Sequence, residues 1–481
     1  MTVEILRLRE GVTVAPSPTR LTLVEPGRGR AIGPVTAGQH AMMRVLAGDG
    51  GTEQQLTREV TAVDGSAGLA RAYSLLATLR SGRWLRATLT ADGHPVVSVE
   101  PWGAPEGRTW QGTASVATTQ NRNRGPFVLS RFAVARRSGA DGLLLESPRT
   151  GVAAVLHDSR SLLLLGRLAS PLTWQDAQAL DASAPAVLAR LIGCGLVVPD
   201  GSAEESELSL RQWAPHELWF HVRSTSPTTG QPWGGTAWAQ DVFPPLPAQP
   251  PTLDTARHPL PVPDLDGIVT ADPPLTRALE ERRSIREHDD ERPMSVSQLA
   301  EFLYRTARVR GLRNVGGHDI ADRPYPSGGS LHELQAYVVA RSVVGLEPGL
   351  YRYDGQAHAL DRLEPYEGPV ATLSERAAAA ARMSGSPQVV VVVAARFGRT
   401  MWKYQSMAYA LVLKNTGVLL ASMYLVATAM RLAPCAVAGP DAEAFALATG
   451  LDPMVEAGVA GFVLGSARPP SLSRKESEHH S

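Results

Sequence analysis

Apolar residues in the first half of the chain recur in two similar stretches of short strands and short amphipathic helices. The first predicts a strand at 21–25, a helix running from a Thr36-Ala37-Gly38-Gln39 cap to 47, helices at 53–60 and 68–80, and a strand at 84–90. The second predicts strands at 143–146 and 152–156, helices at 159–168, 173–180 and 184–192, and a closing strand at 195–198. Strand, three short helices and closing strand is the plan of a winged helix. Its repetition in the same order points to a tandem duplication, with modules over 1–100 and 128–222.

A different rhythm follows. Residues 223–274 carry Trp233, Trp238 and the proline-dense runs FPPLPAQPP, HPLPVPDLD and DPPL. Proline removes backbone donors and favours extended chain, so this stretch is a linker or a strap laid over another surface. Beyond it the elements lengthen, with helices expected at 275–281, 297–306, 404–430 and 442–447, and strands at 335–340, 349–353, 389–395 and 457–464. The β-branched run at 389–395 reads as a buried strand, and the whole of 275–470 as an α+β domain. The closing residues 471–481 (SLSRKESEHHS) are polar and are expected to be disordered.

Composition narrows the function classes. Lys+Arg and Asp+Glu balance at 47 each, which offers no support for a general nucleic-acid or membrane binder. Cys194 and Cys435 stand far apart without metal-type spacing, so neither a disulfide framework nor a metal site is expected, and the chain reads as cytoplasmic. Only three lysines occur in 481 residues, and one is Lys403, inside Met401-Trp402-Lys403-Tyr404-Gln405. A GC-rich genome accounts for much of the arginine bias. Lys403-Tyr404 is nevertheless expected to open the apolar helix at 404–430, where the helix dipole opposes an ammonium and makes the lysine a candidate neutral base. The other reading is a snorkelling lysine beside a tyrosine that caps a core.

Four further tracts carry candidate chemistry. Arg282-Arg283-Ser284-Ile285-Arg286 gathers three guanidinium forks and a hydroxyl, either an anion site or a solvated basic turn. Pro326-Ser327-Gly328-Gly329-Ser330 lets backbone amides approach a flat or anionic ligand, or is an ordinary loop. Pro434-Cys435-Ala436-Val437-Ala438-Gly439 supplies small residues against which a planar ring would lie, and Leu464-Gly465-Ser466-Ala467-Arg468 ends a strand on an arginine.

Taken in order, Arg-Arg-Ser-x-Arg, Pro-Ser-Gly-Gly, Trp-Lys-Tyr-x-x-x-Ala-Tyr, a small-residue turn and Gly-x-x-Arg resemble the nitroreductase-like flavoproteins, and more narrowly the SagB-type, McbC-like azoline dehydrogenases. The resemblance implies a dimeric nitroreductase-like FMN domain preceded by the winged-helix-like α/β modules. It implies FMN held at its phosphate by Arg282, Ser284 and Arg468, with Arg283 and Arg286 along the ribityl chain and pyrimidine edge. Pro326, Ser327, Gly328 and Ser330 would reach the flavin from the partner subunit, Ala438 and Gly439 would lie near the ring, and Lys403 and Tyr404 would be the catalytic pair. The implied reaction oxidises thiazolines or oxazolines to azoles in a ribosomally made precursor peptide, as in thiopeptide pathways, with a cyclodehydratase as a possible partner. Two departures stand out: Ala410 follows Ala408-Tyr409 where the family usually has Arg, and Asn415-Thr416 replaces an acidic residue of the helix. A NAD(P)H-dependent nitroreductase of small molecules is the competing enzyme reading. A non-catalytic scaffold for a leader peptide or partner is the other, suggested by Trp213, Trp219, Trp233 and Trp238.

Overall fold

The computed structural model describes residues 2–17, 20–25, 28–101, 125–138, 142–226, 232–437, 439 and 441–468. These form two compact units, Met1–Gln231 and Pro232–Ser481. The tail expected at 471–481 lies outside the described residues.

Local signals start the helices of the first unit. The Thr36 hydroxyl accepts from the Gln39 amide while the Gln39 carboxamide accepts from the Thr36 amide, closing a capping box on Ala37–Ala47. Thr52 with Gln55 starts Glu53–Asp64, and Thr173 with Asp176 starts Trp174–Leu180, in the same way. Gly68–Ser81, Ser159–Arg167 and Ala184–Gly193 complete the two helical triplets.

The sequence pattern does not reveal the sheet between the triplets. Six strands pair in the order Thr2–Leu8, Leu85–Ala91, His94–Pro101, Val152–Leu156, Gly142–Glu146, Val134–Ser138, so both predicted modules contribute to one sheet. Leu6, Ala87, Val99 and Ala154 make one cross-strand row, all buried. The first helical triplet shares a core with its Leu6–Ala87 end, and the second with its Val99–Ala154 end. Strand His94–Pro101 is masked in the pattern by Ser98, a polar residue in a buried position. Its hydroxyl is satisfied by Thr88 Oγ1 and His157 Nε2, each at 2.8 Å. The strand expected at 21–25 belongs instead to a separate three-stranded sheet with Thr13–Ser17 and Arg28–Ile32.

The second unit is built on a seven-stranded antiparallel sheet in the order Arg257–Pro259, Ala359–Pro365, Gly349–Asp354, Leu334–Ala340, Val389–Arg396, Glu456–Ser466, Leu432–Val437. All of Val389–Arg396 is buried. Val389, Val391 and Val393 join a core with helices Val296–Ala307 and Ala408–Ala429, while Val390 and Val392 join one with helices Gly368–Ala381 and Ala442–Thr449. Two covered faces explain why this strand is a continuous β-branched run, each valine contributing about 1.5–3 kcal/mol by burial. Helix Gly368–Ala381, with its alanine-rich end, and strand Ala359–Pro365 are not predicted by the pattern, because few large side chains mark their period.

The proline-rich stretch is a strap on this second unit. Its prolines supply carbonyls and no donors, and arginines, which only donate, hold it. Arg399 Nη1 reaches Leu246 O at 2.6 Å, Arg396 Nη1 reaches Pro247 O at 2.9 Å, and Arg352 Nη2 reaches Pro251 O at 2.8 Å. Indoles do the same in both directions: Trp238 Nε1 donates to Met401 O at 2.6 Å, and Trp402 Nε1 donates to Phe243 O at 2.7 Å.

The long helix differs from expectation at its start. It spans Ala408–Ala429, not 404–430. Ser406 adopts a left-handed φ of 59° that interrupts the helical run, and Tyr404–Gln405 pairs as a short strand with Gly234–Gly235 of the strap. By length and apolar content the helix would suit a membrane span, yet Val412, Leu419, Met423 and Ala427 pack into the sheet core. It is not buried all round: Leu413 and Val418 are 40% and 36% exposed within the single chain.

Candidate active site

Several of the predicted site residues fall into two groups, one anchored on the long helix by Ser284 at Tyr424 and the other by the Pro-Ser-Gly-Gly loop at Asn415. In the first, the Arg282–Arg286 tract follows helix Leu275–Glu281 and is drawn to the edge of the sheet, where Ile285 N donates to Pro434 O at 2.8 Å. Ser284 Oγ lies 2.7 Å from the Tyr424 hydroxyl, and that hydroxyl also accepts from Ala436 N at 2.7 Å. The Arg282 guanidinium sits 5.3 Å above the Tyr424 ring, which also meets Phe462 edge-on. Arg283 is exposed and makes no hydrogen bond or ion pair among the described residues. Arg286 instead donates through Nε to Ala381 O at 2.7 Å. Arg468 is brought to the same loop, with Nε 3.2 Å from His288 O, next to the Ala467–His288 bridge. Gly439 is exposed with open space around it, and Ala438 lies outside the described residues.

In the second group, the Pro-Ser-Gly-Gly loop meets the Lys-Tyr pair. A Cβ placed on Gly329 (φ 64°) would lie 2.8 Å from the Tyr404 hydroxyl oxygen and 3.7 Å from Lys403 Nζ. Lys403 Nζ is itself 5.6 Å from the centre of the Tyr404 ring. From the other side the strap approaches: a Cβ on Gly235 would be 3.4 Å from Tyr404 Cε1. Glycine at 329 is therefore required twice, by its backbone and by the close approach. Because Lys403 precedes the helix by five residues, the helix-dipole argument for a neutral amine does not apply to it.

Asn415, in the sequence only a departure from the family pattern, organises the loop. Its Nδ2 donates to Glu333 Oε1 at 2.9 Å and to Ser327 Oγ at 3.1 Å, and its Oδ1 accepts from Gly328 N at 3.1 Å. Burial pushes the fully buried Glu333 carboxyl upward, and the Asn415 hydrogen bond opposes that shift. Pro326 is exposed, and Ser330 holds a left-handed φ of 55° at the end of the loop. Over the same region, the His318 ring stacks on Trp402 with centroids 4.9 Å apart, and burial, then Arg399 and Lys403, pull its pKa down. A neutral ring is thus favoured there.

Asn415 and Tyr424 are nine residues apart, about 13 Å along the axis and two and a half turns around it. The anion-type group and the Lys-Tyr group therefore dock on opposite sides of the helix. Sequence reasoning misses Tyr424 and Glu333. The available signal for Tyr424 is a lone phenol in an apolar run, which needs a hydrogen-bond partner when partly buried.

Two family models match separate parts of the chain. Residues 279–466 match the nitroreductase family, and residues 127–229 match the family described as cyanobactin oxidase ThcOx. A nitroreductase-family protein of Methanocaldococcus jannaschii is 29% identical over 183 residues, 37% of this chain and 81% of the relative. The trifolitoxin-processing protein TfxB of Rhizobium leguminosarum bv. trifolii is 27% identical over 142 residues, 29% of this chain and 38% of that protein. A chain of the Escherichia coli microcin synthetase McbBCD complex, solved with truncated pro-MccB17 bound, overlays with a TM-score of 0.35 at 19% identity, covering 52% of this chain and 91% of the other. The chain thus carries a nitroreductase-family domain over residues 279–466, preceded over residues 127–229 by a segment that matches the cyanobactin-oxidase family.

Proposed function

We propose that this protein is an FMN-dependent dehydrogenase of the SagB type that oxidises thiazolines or oxazolines to azoles in a ribosomally made peptide of a thiopeptide-like pathway. The observation that carries the reading is the meeting of Lys403 and Tyr404 with Gly329 of the Pro-Ser-Gly-Gly loop, clamped by the strap. The peptide-modifying names among its relatives, a cyanobactin oxidase and a trifolitoxin-processing protein, support a peptide substrate.

The residues present fit FMN. Ser284 keeps a hydroxyl at the surface of the first group, beside the exposed Arg282 and Arg283 and near the strand-end Arg468, and arginine forks suit a phosphate monoester. When bound, the flavin supplies a two-electron acceptor for the carbon-bound hydrogen of the azoline. The chain's own part is to hold the azoline and to take the proton from the neighbouring carbon, a task for Tyr404 or Lys403. Gly328 and Gly329, lacking side chains, let Leu411 and the Tyr404 hydroxyl close against the loop, and His318 on Trp402 offers a neutral wall.

Since the two groups dock on opposite sides of one helix, a complete site needs both groups from different copies of the chain. The exposed Leu413 and Val418 lie on the helix face that a second copy would cover, which supports a homodimer with one copy's Arg282–Ser284 group facing its partner's loop. A cyclodehydratase partner and a cytoplasmic location accompany this reading.

The test is mass spectrometry of an azoline peptide incubated with the purified protein, with an expected loss of about 2 Da per heterocycle, the mass of two hydrogens. Lys403→Ala and Tyr404→Phe are expected to retain bound FMN and lose azole formation. Full turnover by both variants would remove the pair from the mechanism. Flavin cycling with NADPH and a nitroarene, with no change in the peptide, would favour a small-molecule nitroreductase, as the family match and the Methanocaldococcus relative allow.

A further inference from the structure

We infer that Tyr424 is a positioning residue that makes Ser284 a one-way hydrogen-bond donor toward a phosphate monoester. The inference rests on the reading that the Arg282–Ser284 tract holds the FMN phosphate, and it follows from where three protons must point.

The Ala436 amide is a donor only, and it points at the Tyr424 oxygen at 2.7 Å. With that acceptor position filled, the phenol proton is free to be given away. Ser284 Oγ is 2.7 Å from the same oxygen and is its remaining partner. Tyr424 therefore donates to Ser284, and the Ser284 proton is left to point out of the chain. The opposite arrangement would ask the phenol oxygen to accept twice and would turn serine lone pairs toward an incoming anion. Aligned bonds polarise one another, so the sequence Ala436 N–H, Tyr424 O–H, Ser284 O–H strengthens the last donor in the row.

Three separate elements meet in this row. Ala436 belongs to strand Leu432–Val437, Tyr424 to helix Ala408–Ala429, and Ser284 to the loop after Leu275–Glu281. The Arg282 guanidinium over the Tyr424 ring sets a fixed positive charge beside the outward-pointing hydroxyl. One phenol thus orients the serine and seats the neighbouring arginine, and its ring is steadied by the edge contact with Phe462. A phosphate-bearing flavin gains from this arrangement and a flavin without phosphate does not.

The experiment is a double-mutant cycle on full-length protein depleted of flavin, using Tyr424→Phe, Ser284→Ala and the double variant. Dissociation constants for FMN and for riboflavin are read from quenching of flavin fluorescence. Phe keeps the ring contacts, and melting temperatures check that each variant folds. Ser284→Ala is expected to weaken FMN about 10- to 100-fold, the range for a hydrogen bond to a charged group. Tyr424→Phe is expected to weaken FMN about 5- to 10-fold, to leave riboflavin unchanged, and to add less than about twofold in the Ser284→Ala background. Ser284→Thr, which keeps the hydroxyl, is expected to retain FMN affinity and to remain sensitive to Tyr424→Phe. Equal weakening of FMN and riboflavin by Tyr424→Phe, or full additivity with Ser284→Ala, would overturn the role of Tyr424 while leaving the phosphate at Ser284. No effect of Ser284→Ala on FMN would overturn both.

Discussion

Replacing Arg399 with Met removes a single cation that ties three segments together. Its side chain is fully buried and donates to Leu331 O (2.7 Å, and 3.2 Å from Nε), Asp319 O (2.6 Å) and Leu246 O (2.6 Å). These carbonyls belong to the Pro-Ser-Gly-Gly region, the hairpin that carries His318, and the strap. Leaving three such acceptors without a donor costs about 1–3 kcal/mol each, or roughly 3–9 kcal/mol in all. The charge works in the other direction: burial and the nearby Arg396 pull the Arg399 pKa down to about 10, so removing the ion relieves several kcal/mol of desolvation. A net loss of about 3 kcal/mol is expected, lowering the melting temperature of a unit of this size by about 6–12 °C. Calorimetry or circular dichroism reads that shift. Chymotrypsin reads its location, because Trp238 and Phe243 in the strap, already 46% and 56% exposed, should be cut faster. A melting temperature within about 2 °C of the parent, with unchanged cleavage, would refute the claim that these carbonyls depend on Arg399.

Three other perturbations probe the loop that Arg399 supports. Gly329→Ala sets a methyl group 2.8 Å from the Tyr404 hydroxyl and strains a φ of 64°, and it should cut azole formation about 100-fold, measured by mass spectrometry, with FMN content unchanged. Asn415→Asp replaces the donor to Glu333 by a second carboxylate. It should cost about 3 kcal/mol in urea unfolding at pH 7 and less at pH 5, where the folded pair takes up a proton and regains stability. His332 is the pH probe: burial, then Arg323, pulls its pKa down to about 3, so the folded ring stays neutral while the unfolded one binds a proton below about 6.5. Its contribution is complete above that pH and is lost as pH falls toward 3, by about 1.4 kcal/mol per unit. His332→Asn, which tolerates the left-handed φ of 47°, should flatten the fall of the urea midpoint between pH 6.5 and 4, leaving the parallel contribution of His288, whose pKa is lowered to about 4.

The capped helices of the first unit and the buried central strand are legible in the sequence because each carries its signal within a few residues. Thr36 with Gln39 marks a helix start, and Val389 to Val393 marks a strand covered on both faces. What is not legible depends on partners distant in sequence. Ser98 looks like a break in a strand until Thr88 and His157 are beside it. Tyr404 looks like a helix start until Gly235, 169 residues earlier in the chain, offers it a strand to pair with. Asn415 looks like the loss of an acidic residue, whereas its amide is what joins the buried Glu333 to Ser327 and Gly328.

This difference alters what Lys403 and Tyr404 depend on. A pair in the first turn of a helix would be oriented by that helix, and its chemistry would survive changes elsewhere. A pair whose Tyr404 joins Gly235 in a short ladder, and whose Lys403 carbonyl accepts from Ala237 N, is oriented by the strap, which in turn is fastened by Arg352, Arg396 and Arg399. Lysine in any of those three positions would deliver a point charge in place of a planar fork, and Arg399 spreads four contacts over three carbonyls. The arginine bias that first made Lys403 conspicuous is, at these positions, what holds Lys403 and Tyr404 against the Pro-Ser-Gly-Gly loop.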